Sequence, residues 1–196
     1  AYILTLSCND RPGLVATVAG ILVEQSANIL EAEQFDDLAA GRFFMRVVFD
    51  LPSGDAAYAA LESRIRETAE IHGMRWTLRA RDVRKRVLLL VSRFDHCLAD
   101  LLYRTRIGEL NMDVVGVVSN HPRGAINVSL MDDIPFYHLP VTPETKPAQE
   151  ARIKALIEET GAELVVLARY MQILSDDMAR YLAGRCINIH HSFLPG

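Results

Sequence analysis

Val87-Leu88-Leu89-Leu90-Val91 is an apolar run with no polar residue at alternate positions. A strand with one wet face would alternate. A run that is apolar throughout reads as a parallel strand covered on both faces. Ser92-Arg93-Phe94-Asp95 breaks the run, and Asp95 to Ile107 then has helical spacing. The cycle repeats downstream. Val114 to Val118 is another buried strand, Pro135 to Leu139 a third, and Pro147 to Thr160 a helix ended by Gly161. Leu164 to Leu167 is again a buried strand. Ser175-Asp176-Asp177 caps a short helix to Ala183, and Cys186 to His190 is the last strand. This alternation predicts a doubly wound, mostly parallel α/β sheet over residues 87–196.

Upstream of the run the character changes. Arg79, Arg81, Arg84, Lys85 and Arg86 crowd around Asp82, and residues 81–86 are read as a domain linker. A solvated strand end fits the same charges. Residues 1–80 read as β-α-β-β-α-β. Tyr2 to Cys8 is a strand, and Asn9 to Gly13 a turn in which Asp10 is the expected N-cap and Pro12 sits in the first helical turn. Leu14, Val18, Ile21 and Leu22 form a helical stripe. Strands follow at Asn28 to Phe35 and Phe43 to Phe49, then a helix bearing Tyr58, Leu61, Ile65 and Ala69, and a strand at Met74 to Leu78. The expected arrangement is ferredoxin-like, with two helices on one face of a four-stranded antiparallel sheet. The chain is α/β overall.

The 196 residues are half apolar, with 23% charged and a net charge of -4. That composition is globular, and its balance points to neither nucleic acid nor an acidic membrane surface. The 3 cysteines include no C-x-x-C pair, so neither a disulfide framework nor a zinc ribbon is indicated, and a reduced, cytoplasmic setting is expected. No signal peptide is seen, and no apolar stretch approaches the roughly 20 residues that span a bilayer. Ala1 opens directly inside a strand and Gly196 follows a motif that should open a loop. The sequence is therefore read as a piece of a longer protein.

Three segments fall at the carboxyl ends of parallel strands, where ligands sit in such sheets: Ser92 to Asp95, Ala168 to Leu174 and Asn188 to Gly196. In Asn188-Ile189-His190 the alternate residues Asn188 and His190 share a face. A carboxamide N–H can donate to an oxyanion, and an imidazole can carry a proton near neutral pH. The pair suits acyl or formyl transfer. The triplet alone also fits a hydrogen-bonded structural histidine.

The longer string Asn188-Ile189-His190-His191-Ser192-Phe193-Leu194-Pro195 resembles the N-x-H-x-S-x-L-P signature of the folate-dependent formyltransferase family. Leu164 to Ser175 resembles that family's folate-binding strand and loop. The resemblance implies that Asn188 and His190 are catalytic and that Met171, Gln172, Ile173 and Leu174 line a pterin pocket, with His191 beside it. Read without the motif, Met171, Ile173 and Leu174 would be core residues.

Two departures select a branch. Ser92 to Cys97 has no glycine where the glycinamide-ribonucleotide enzymes carry a phosphate loop, and Asp95 would repel a phosphate. His191 stands where the transferases usually have Pro. With Val117 to Pro122 and His138 to Lys146, these features resemble the deformylase branch. That branch hydrolyses 10-formyltetrahydrofolate to formate and tetrahydrofolate, in one-carbon and purine metabolism. The resemblance implies a folate substrate and no tightly bound cofactor. The family's water-positioning Asp lies in a loop beyond the Pro-containing motif, and Asp95, Asp132 and Asp133 are not read as substitutes. No G-x-G-x-x-G joins strand to helix, which argues against dinucleotide binding.

Asn9-Asp10-Arg11-Pro12-Gly13-Leu14-Val15-Ala16 resembles the first turn of ACT domains, which bind amino acids. The resemblance implies a regulatory unit with Asp10, Gly13, Leu14 and Asn28 as effector contacts, methionine and glycine as candidate effectors, and a homo-oligomer. A purely structural cap is the competing reading of this turn. No metal is expected: adjacent His190 and His191 should point to opposite faces, and His72, His96, His121 and His138 lack ligand spacing. The alternatives carried forward are a formyltransferase with another acceptor and an inert amino-acid-binding regulator.

Overall fold

The computed structural model describes residues 1–52 and 55–189, apart from the Asp55 side chain. It divides into two compact units, Ala1–Val83 and Arg84–Gly196.

In the first unit the order is β1 (Tyr2–Asn9), α1 (Leu14–Glu24), β2 (Asn28–Asp37), β3 (Arg42–Asp50), α2 (Asp55–His72) and β4 (Arg75–Ala80). The antiparallel sheet runs β2-β3-β1-β4. Period-two alternation puts Leu4, Leu6 and Cys8 of β1 and Phe43, Met45, Val47 and Phe49 of β3 into the core. The α1 stripe of Leu14, Val18, Ile21 and Leu22 covers them. This is the ferredoxin-like arrangement.

The start of α1 differs from the sequence reading. Asp10 does not cap the helix: its N–H donates to the Gly41 carbonyl at 2.9 Å, so it prolongs the β1–β3 ladder. The N-cap is Gly13 at φ 91°, and Leu14 is the first helical residue, which leaves Pro12 in the preceding turn. Only glycine takes that left-handed backbone at little cost.

In the second unit the order is β5 (Lys85–Val91), α3 (His96–Arg106), β6 (Met112–Ser119), two 3₁₀ turns (Arg123–Ala125 and Ser129–Met131), β7 (Phe136–His138), α4 (Lys146–Thr160), β8 (Leu164–Ala168), α5 (Asp176–Tyr181) and β9 (Cys186–Ile189). The sheet order is β7-β6-β5-β8-β9, and every described pairing is parallel. Leu88 and Leu90 face α4 and α5 through Ile153, Leu156, Ile157, Met178 and Leu182. Val87, Leu89 and Val91 face the other side with Leu98, Leu102, Ile126, Val128 and Met131. The central strand is thus covered on both faces, as its sequence demands.

Two details go beyond the sequence pattern. Lys85 and Arg86, grouped with the connecting stretch on charge alone, are the first residues of β5. Arg86 N–H donates to Glu163 Oε2 at 3.0 Å, and its guanidinium reaches the Thr160 carbonyl at 2.7 Å. Gly161, at φ 61°, ends α4 and lets the chain turn into β8.

Candidate functional site at the carboxyl ends of β5, β8 and β9

From β5 the chain steps outward through β6 to β7, then returns to the other side of β5 as β8 and β9. The order therefore reverses between β5 and β8, and ligands lodge at the carboxyl side of such a switch. The strand ends there carry Ser92, Asn120, the loop from Arg169 to Leu174, and Asn188.

Ser92 is buried and joins three of these ends. Its hydroxyl donates to Asn120 Oδ1 at 2.8 Å and accepts the Met171 N–H at 2.9 Å. Its own N–H donates to the Arg169 carbonyl at 3.3 Å. Arg169 has a left-handed backbone, φ 58°, uncommon for a residue with a Cβ, and it turns the chain away directly after β8. Its guanidinium lies over the Phe94 ring, 5.1 Å from the centroid, with Nη1 3.2 Å from His96 Nε2. Its Nε is buried and has no hydrogen-bond partner among the described residues.

Beyond this turn opens a mostly apolar crevice of about 530 Å³, within the usual range of small-ligand sites. One wall is Met171, Gln172, Ile173 and Leu174; another is Ala179, Leu182, Ala183 and Gly184; Cys186, Asn188 and Ile189 complete it from β9. Met171 is 48% exposed and Ile173 87%, so the core reading of these two side chains does not hold. Leu174 packs partly against the core beneath. Burial pushes the Cys186 thiol above its ordinary range, which keeps it protonated and a poor nucleophile at neutral pH. Burial also pushes the Tyr170 hydroxyl up, although the Gln149 amide that donates to it pulls the other way.

Asn188 pairs with Leu167 across β8–β9 and stands in the crevice wall. Its expected companions His190 and His191 lie outside the described residues, as does the rest of the motif to Gly196. Asp95 accepts the Asn127 N–H at 2.7 Å, and Asp132 pairs with Arg123 at 3.3 Å. His121 follows the β6 end and His138 lies opposite Ser119 in β7. Among the described residues no group of three or more His, Cys, Asp or Glu side chains is placed to hold a metal. No helix among them is long and apolar enough to cross a membrane.

The four effector candidates do not converge within one chain. Asp10 and Gly13 follow Asn9, which pairs with Arg42 at the start of β3. Asn28 pairs with Asp50 at the far end of the same strand, roughly 26 Å away at the usual rise per residue. The Leu14 side chain is buried in the core, leaving only its backbone N–H for a ligand.

The sequence reading named neither Cys186 nor the α5 wall, and gave Arg169 and Tyr170 no role of their own within the Ala168–Leu174 segment. Cys186 was within reach, because it precedes Asn188 by two and shares its face. Arg169 was not, since nothing local announces a left-handed arginine.

Residues 85–196 match the family described as Formyl transferase, and residues 2–66 match the ACT domain. A formyltetrahydrofolate deformylase of a Corynebacterium species is 49% identical over 99% of this chain and 68% of its own length. Crystal structures of formyltetrahydrofolate deformylases from Burkholderia mallei and Pseudomonas putida superpose with TM-scores of 0.86 and 0.81, at 46% and 47% identity. Each covers the whole of this chain, which spans 68% and 70% of them respectively. The chain thus shares sequence and fold with these proteins across both units, and it belongs to the formyltetrahydrofolate deformylase family.

Proposed function

We propose that the protein carrying this chain hydrolyses 10-formyltetrahydrofolate to formate and tetrahydrofolate, as an enzyme of one-carbon and purine metabolism. The observation that carries this reading is Asn188 in the wall of an apolar crevice at the switch between β5 and β8. The pterin would lie against Met171 to Leu174. Water adds to the formyl carbon, and the Asn188 carboxamide N–H donates to the oxyanion that forms. The bond from carbon to the folate nitrogen then breaks, and His190 hands that nitrogen the proton it took from the adding water. The formic acid released gives up its remaining proton to solvent and departs as formate. Preorganised donors of this kind stabilise charge that develops only in the transition state.

No glycine-rich cradle follows β5, and the Asp95 carboxylate at the start of α3 would repel a phosphate there. This favours water over a phosphate-bearing acceptor. The remaining expectations rest on the family resemblance: no tightly bound cofactor, a cytoplasmic homo-oligomer, and a small amino acid at the Asp10–Gly13 turn as regulator. The test is formate release by the full-length protein, alone and with candidate amine acceptors. Formylated product in place of formate would turn the reading to a transferase.

A further inference from the structure

The loop between β8 and α5 forms the crevice wall, yet its crevice-facing side chains give it little anchorage. Met171 and Ile173 are exposed, and the segment has no helical or strand ladder. Its shape must be imposed from outside. Three residues of α4 do so, at positions i, i+3 and i+4 on one helix face. Lys146 Nζ donates to the Ile173 carbonyl. Gln149 Nε2 donates to the Tyr170 hydroxyl oxygen at 2.8 Å and to the Leu139 carbonyl at 3.0 Å. Glu150 accepts the Ser175 N–H at 2.9 Å on one carboxylate oxygen and the Ser175 hydroxyl on the other. The loop is held at its first, middle and last parts.

Gln149 and Glu150 are each only 7% exposed. Polar groups that deep are costly unless their hydrogen bonds are made, and a satisfied buried network specifies one geometry where apolar packing would tolerate several. Ser175 is also the N-cap of α5, whose Ala179 and following turn line the same crevice. Glu150 therefore holds, through Ser175, both the end of the loop and the start of α5.

From this we infer that Lys146, Gln149 and Glu150 are positioning residues for the folate pocket, acting through the loop and touching no substrate. The inference rests on the folate reading above, and its test separates the two. Tetrahydrofolate binding by calorimetry, with KM and kcat for 10-formyltetrahydrofolate, would be measured on full-length wild type, Lys146→Met, Lys146→Arg and Gln149→Leu. Lys146 is partly exposed, so its replacement leaves the fold intact. Lys146→Met and Gln149→Leu should each weaken tetrahydrofolate binding and raise KM about tenfold, with kcat falling less than KM rises. Lys146→Arg, which keeps a cationic donor, should recover most of the loss. Wild-type affinity in both variants, with only thermal stability reduced, overturns the positioning role and leaves the hydrolase reading standing. A wild type that neither binds tetrahydrofolate nor releases formate overturns both.

Discussion

Leu167 of β8 and Asn188 of β9 are register partners in the parallel ladder. The pairing sets Asn188 beside the end of β8, two residues before Arg169, where the crevice begins. Replacing Asn188 by Ala should lower the rate of formate release about 10²–10³-fold. Because Asn188 is exposed, the melting temperature should hardly move. Unchanged turnover in a folded Asn188→Ala protein would remove this residue from the chemistry.

Ile173 is 87% exposed and contributes almost nothing to the core. Substitution by Asp should change stability by no more than about 0.5 kcal/mol. It should nevertheless weaken tetrahydrofolate binding at least tenfold, because a carboxylate would replace apolar crevice wall. Equilibrium unfolding and calorimetric binding on the same sample would separate the two effects.

Gly116 of β6 has no room for a methyl group. A Cβ there would lie 2.9 Å from Tyr137 Cε2 and 3.2 Å from Leu88 Cδ1. Gly116→Ala should destabilise the protein by about 1–3 kcal/mol through overpacking. Denaturant titration checks this, and a pairing with Tyr137→Leu should recover part of the loss.

Tyr170 makes an alkaline prediction. Burial raises its hydroxyl pKa in the folded state, so the unfolded chain gives up this proton at lower pH than the native one. The associated stability is fully present below the ordinary tyrosine range and drains away as pH climbs through and above it. Tyr170→Phe should flatten that decline without abolishing it, because Tyr58 and Tyr181 are pushed in the same direction. At neutral pH the loss of the Gln149 bond should cost about 0.5–1.5 kcal/mol. Stability measured from pH 7 upward on both proteins decides the matter.

The legible parts of the molecule were those written in local periodicity. The run Val87 to Val91, the α1 stripe and the alternation in β3 each announce burial through spacing alone, and the structure buries them so. The carboxyl-end position of Asn188 was equally legible, since strand and motif are contiguous. What escaped depends on partners far along the chain. Arg86 looks like solvated charge until Glu163 and Thr160 meet it. Asp10 looks like a cap until Gly41 claims its N–H. Arg169 takes its conformation beside Ser92, Phe94 and His96, none of which a local window can see. Sequence proximity to α1 likewise could not reveal that Asp10 and Asn28 stand toward opposite ends of β3.

The reversal of strand order has a consequence for how the protein is made. Val87 meets Val114 after a short excursion, whereas Leu88 must wait for Val165 before its other flank is paired. Such distant parallel pairing is slow to form. A refolding or nascent chain should thus recover much of its secondary structure while still unable to retain folate, and ligand capture would be the last property to mature.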